Sequence, residues 1–79
     1  MSKKGAPATE YIQEYRERIG SKIREIREKR KLSQDELAAL MDVNRSTISK
    51  VENGKFAITI DYLVRFGWVL DFDISILEK

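Results

Sequence analysis

The sequence predicts an all-α fold, a bundle of four to five helices followed by a short C-terminal β-strand. Three observations predict it. Ile12, Tyr15, Ile19, Ile23 and Ile26 recur every three or four residues, the period of one apolar helix face. Ser33 with Glu36, and Asn53 with Gly54, are start and stop signals of short helices. Phe72-Asp73-Ile74-Ser75-Ile76 then alternates apolar and polar with period two, which reads as a strand over 72–77.

Residues 1–7 are small and basic without periodicity and read as a flexible arm carrying Lys3 and Lys4, while residues 8–79 read as one domain. The first helix starts at Ala8 or Thr9. Gly20 interrupts its stripe at a cost of about 1 kcal/mol and leaves open whether residues 8–31 form one helix or two, although the apolar phase continues across it. Lys29, Arg30 and Lys31 suit the negative end of the helix dipole. Ser33 opens the second helix as a capping box: its hydroxyl takes the amide of Glu36, and the Glu36 carboxylate reaches back to Ser33. Leu37, Ala38 and Met41 form its inward face, and Asp42, a short polar residue that tolerates a left-handed backbone, ends it. Asn44 reads as a strong N-cap for a third helix, Arg45 to Glu52, which Gly54 terminates at positive φ.

Thr59 caps a fourth helix with Ile60, Leu63, Val64 and Trp68 on its inner face, running to Val69 or Leu70. A lone strand after it cannot satisfy its own backbone. Pairing with Phe56–Ile60 in a hairpin, or packing as a frayed tail, are the alternatives. The expected arrangement is pairing with a second copy across a two-fold axis, with Phe72, Ile74 and Ile76 at the dimer seam.

A chain of 79 residues buries only about 60% of the surface its unfolded form exposes, so its stability margin is thin and a partner chain would widen it. Hydrophobic residues at 42% and charged residues at 35% describe a soluble globular protein. With no cysteine and no histidine, a disulfide framework, thiolate metal sites and the commonest general base are excluded. The Asp and Glu residues meet no glycine-rich phosphate cradle, so no catalysis, cofactor or metal is expected. No apolar run approaches the roughly 18 residues that span a bilayer, and no apolar signal region follows Lys3 and Lys4; the expected location is the cytoplasm. The net charge is +2, unevenly distributed: residues 1–31 hold ten Lys/Arg against five acids, residues 32–79 five against eight.

The run Leu32-Ser33-Gln34-Asp35-Glu36-Leu37-Ala38, followed by Val43 through Lys55 (VNRSTISKVENGK), resembles the Cro/phage-repressor-like (XRE-type) helix-turn-helix family. The resemblance covers roughly Ile19 to Leu70 and implies a lambda-repressor-like bundle in which the second and third helices form the motif, over 34–53. Physical reasons stand beside it. Two helices crossing at a short turn need a small residue at the crossing, Ala38, and apolar anchors around it, Leu37, Val43, Ile48 and Val51. Asp42 stands where the family usually has glycine, and Ile58 where such sequences often carry proline.

The third helix leaves Arg45, Ser46, Thr47, Ser49 and Lys50 facing outward or flanking the core, a polar and cationic surface without an acid. A recognition helix presents its N-terminal residues to base edges, so Arg45, Ser46 and Lys50 are the first candidates for base contact, with Thr47 and Ser49 next. The phosphate candidates are Gln34, as the resemblance implies for the start of the second helix, with Thr47, Asn53 and Lys55. The resemblance further implies that Glu52 pairs with an arginine of the first helix, for which Arg27 is the candidate. The expected function is a sequence-specific, double-stranded-DNA-binding transcriptional regulator, acting as a repressor and as a homodimer on an inverted repeat. The alternative is an antitoxin that binds a toxin protein and represses its own operon, with Ile12, Tyr15, Phe66, Trp68 and Phe72 as apolar surface for that partner.

Overall fold

The structure, a computed structural model, describes residues 5–79. Lys3 and Lys4 of the expected arm lie outside the described residues. Four helices follow in order: α1 (Thr9–Lys29), α2 (Gln34–Met41), α3 (Arg45–Glu52) and α4 (Ile60–Leu70). α1 packs on α3 and α4, and α2 packs on α3 and α4. Ile23, Leu37, Ala38, Met41, Ile48, Val51, Phe66 and Leu70 form the buried core between them.

α1 runs unbroken through Gly20, which is buried. The glycine belongs to packing and not to a hinge. A Cβ there would fall inside contact distance of the Val51 carbonyl oxygen and 3.0 Å from that of Glu52, so its absence lets the backbone of α3 lie directly against α1.

All four helices stop in the same way. A residue with left-handed backbone follows the last turn, at Lys31 (φ 60), Asp42 (φ 56), Gly54 (φ 70) and Asp71 (φ 63). The next amide then reaches back to a carbonyl five residues earlier: Leu32 to Arg27, Val43 to Ala38, Lys55 to Lys50 and Phe72 to Gly67. Only one of the four is glycine. The sequence places the ends of the first and fourth helices near these positions but not the left-handed backbone at Lys31 and Asp71.

At the other ends, Ser33 and Glu36 close the capping box in both directions, at 3.0 and 2.8 Å, and Thr59 accepts from the Tyr62 amide at 3.2 Å. The Ser33 amide holds the Glu36 carboxyl below the ordinary carboxylate range. Asn44 occupies the N-cap of α3 with extended backbone, but its side chain makes no capping bond, so its expected strength as a cap is not realised.

Three expectations about the apolar residues need correction. The inner face of α4 is Phe66, Gly67 and Leu70, with Leu63 half-buried, whereas Ile60, Val64 and Trp68 are 62%, 54% and 88% exposed. Both stripes of this helix are apolar, so periodicity alone does not choose between them. Phe66, read as partner surface, is fully buried. Among the described residues no strand is present: residues 72–77 are irregular, and Phe72, Ile74 and Ile76 join no ladder. A strand needs a neighbour for its amides. Here the Phe72 amide is instead turned back onto Gly67 at 2.9 Å, its ring covers that glycine, and the chain beyond leaves Ile76 95% exposed.

Gly20→Ala is expected to destabilise the protein although alanine is the better helix former. The overpacking cost of about 1–3 kcal/mol against a rigid carbonyl outweighs a propensity gain of about 1 kcal/mol. A thermal melt checks this, and a raised melting temperature would contradict it.

Candidate nucleic-acid interface

α2 and α3 are joined by Asp42-Val43-Asn44, and the left-handed Asp42 makes the turn that a glycine would otherwise make. Leu37 and Ala38 from α2 and Ile48 and Val51 from α3 close the crossing from within. At about 100° per residue, the buried Ile48, Val51 and Glu52 define one side of α3. Arg45, Ser49, Ser46 and Lys50 then occupy an arc of about 140° outside that side, with Arg45 next to Glu52 and Ser46 and Lys50 farthest from the core. Arg45, Ser46 and Lys50 are exposed; Ser49, within the arc, and Thr47, beyond Lys50, are half-buried. The face carries no acid of its own helix.

That face is held in place by one buried carboxylate. Arg27 of α1 donates from Nε to Glu52 Oε2 at 2.6 Å and from Nη2 to Oε1 at 3.0 Å, and its third nitrogen caps the Leu32 carbonyl at 2.8 Å. The two side chains are 9% and 2% exposed. Hydrogen bonding to Glu52 holds the Arg27 guanidinium above its ordinary pKa against the opposing effect of burial. Gln34, the first residue of α2, donates its amide to the same Glu52 Oε1 at 3.1 Å. Three helices therefore meet at Glu52.

The remaining candidates lie around this hub. Gln34 is half-buried at the N-terminus of α2. Asn53 folds its side-chain amide onto the Ser49 carbonyl at 2.9 Å. Lys55 is exposed just beyond Gly54, whose carbonyl accepts from Gln13 at 2.7 Å. The sequence reading missed three contacts here: Gln13 with Gly54, Gln34 with Glu52, and an ion pair at 3.4 Å between Asp35 of α2 and Arg45 of α3. Each joins residues on different elements, and no local pattern announces such a pair. Among the described residues, no cluster of three or more His, Cys, Asp or Glu side chains is arranged to hold a metal ion, and no helix is long and apolar enough to cross a membrane.

The family model described as helix-turn-helix matches residues 23–76, which contain α2, α3, α4 and the second half of α1. The chain belongs to the XRE-type helix-turn-helix family. The matched span contains both α2 and α3. The ImmF control region 10 kDa protein of Bacillus phage phi105 is 26% identical over 61 residues, covering 77% of this chain and 68% of the phage protein. Among solved structures, the restriction-modification controller protein C.AhdI from Aeromonas hydrophila is similar with a TM-score of 0.73 and 28% identity, over 77% of this chain and 88% of that one. The helix-turn-helix of this chain is thus that of a DNA-binding regulator.

Removing one member of the buried pair strands the other. Glu52→Ala is expected to lower unfolding stability by about 3–5 kcal/mol, a large part of the total for a chain this small. Replacing both Arg27 and Glu52 by methionine should recover most of that loss, because no buried charge then remains. Denaturant titrations of the two variants check the pattern; equal losses in both would contradict it.

Proposed function

We propose that the protein is a transcriptional repressor that binds an inverted-repeat operator as a homodimer and acts by occupying it. The observation that carries the reading is the outward arc of Arg45, Ser46, Ser49 and Lys50, set on a helix that Ile48, Val51 and Glu52 anchor to the core. An α-helix fits the major groove, and these side chains supply donors suited to base edges there. Arg45, Ser46 and Lys50 contact bases, with Thr47 and Ser49 adjoining. Gln34, Thr47, Asn53 and Lys55 meet phosphates on either side and set the register. The control functions printed in the names of the phage protein and of C.AhdI support the same reading.

The dimer seam is proposed on α4 and not on a tail strand. Ile60, Val64 and Trp68 recur every four residues along its outer side, and Ile74 adds exposed apolar area beside Val64 and Trp68. Small chains seldom leave a tryptophan 88% exposed without a partner for it. A dimer built across a two-fold axis would present two recognition helices to half-sites with centres about 34 Å apart. The antitoxin reading uses the same apolar patch for a toxin instead of a second copy.

Selection from a random DNA pool is expected to return a two-fold symmetric site, and affinity for it should fall steeply with salt because several phosphates are neutralised. Arg45→Ala should cost about 1–3 kcal/mol on that site. A response flat in salt would overturn the reading. Trp68→Glu should sediment as a monomer and bind one half-site weakly, with its melting temperature nearly unchanged at low concentration. If the wild type is itself monomeric and co-purifies with the product of an adjacent gene, the antitoxin reading replaces this one.

A further inference from the structure

The second residue of α2 and the first residue of α3 touch across the motif. Arg45 Nε lies 3.4 Å from Asp35 Oδ1, with the two side chains 65% and 76% exposed. An exposed pair of this kind contributes little to stability, on the order of 0–1 kcal/mol. It is also costly in place, because a carboxylate on the surface that approaches phosphates repels them. Its geometry gives it a use. The closest approach is made by the Nε of the guanidinium, as a charge contact and not a hydrogen bond, which puts the edge formed by the two terminal nitrogens on the far side of the group from that contact. That edge is a planar two-donor fork, and the O6 and N7 of guanine are the acceptors it matches in the major groove.

We propose that Asp35 is a positioning residue for guanine recognition: its charge draws the Nε side of Arg45 toward α2 and so turns the terminal fork to a single guanine of the operator. The proposal rests on the DNA-binding reading above and adds which base Arg45 reads and what aims it. Arg45 has a long side chain with several rotatable bonds, so on its own it would reach phosphates as readily as bases. Pairing with Asp35 restricts it before DNA arrives, and exclusion of water on docking strengthens the pair. The carboxylate also penalises every docking in which Arg45 turns to a phosphate, since Asp35 would then face the backbone without a cation. Sequence preference is gained and general affinity for duplex is given up. The simpler role for Asp35, an acid complementing the N-terminal dipole of α2, predicts no effect on base preference.

The test uses the full chain and the site selected from a random pool, with each position then varied. Asp35→Asn keeps the shape and removes the charge. It should reduce the preference for guanine at the position read by Arg45 roughly tenfold. It should also bind random-sequence duplex as tightly as the wild type or tighter. In an Arg45→Ala background the same substitution should leave base preference unchanged, and the melting temperature of Asp35→Asn should stay within a few degrees of the wild type. Undiminished guanine preference in Asp35→Asn overturns the proposal, as does an equal loss in the Arg45→Ala background. Guanine preference that survives Arg45→Ala overturns it too, while leaving the regulator reading intact. A wild type that selects no sequence at all removes both.

Discussion

The arrangement depends on a single buried carboxylate. Glu52 lies in the last turn of α3, at the negative end of that helix's dipole, where an acid is poorly placed on its own. It is tolerated because Arg27 forks onto both of its oxygens and Gln34 adds a third hydrogen bond. Among the described residues no buried side-chain nitrogen or oxygen lacks a partner. Such a fully satisfied network gives little net stability compared with an apolar substitute, but it is directional, which an apolar substitute is not. It sets the angle of α3 against both α1 and α2.

The backbone contact at Gly20 complements this. Where the ion pair fixes orientation, the missing side chain fixes distance, bringing the carbonyls of Val51 and Glu52 against α1. α2 and α3 have eight residues each, too short to be helical alone in water. Their rigidity is therefore borrowed from caps, from the repeated left-handed terminations and from packing. Placing lysine or aspartate in that backbone region costs about 1 kcal/mol or more at each position. The cost is accepted at three helix ends of four, and each time the returning amide satisfies a carbonyl that would otherwise be left open.

A core of eight buried apolar residues from four helices leaves other apolar surface outside. α4 is apolar on two sides, and one of them is used for the core. The outer side, with Trp68, and the first turns of α1, where Tyr11, Ile12 and Tyr15 are exposed, give the molecule two exposed apolar regions.

The sequence by itself determined what local chemistry controls. The capping box at Ser33 and Glu36, Thr59 as a cap, Asp42 and Gly54 as terminations, and the polar sector of α3 all rest on hydrogen bonds or periodicities within a few residues, so they are legible without a fold. The motif's resemblance to a known family supplied the pairing of the second and third helices. What remained was decided by tertiary structure. Gly20 marks a contact with α3 and not a break in α1; α4 turns Phe66 and Leu70 inward and Trp68 outward; residues 72–77 form no strand; and Asp35 meets Arg45 across the turn. In each case the local sequence allows more than one arrangement, and the choice falls to whichever neighbour the rest of the chain brings into contact.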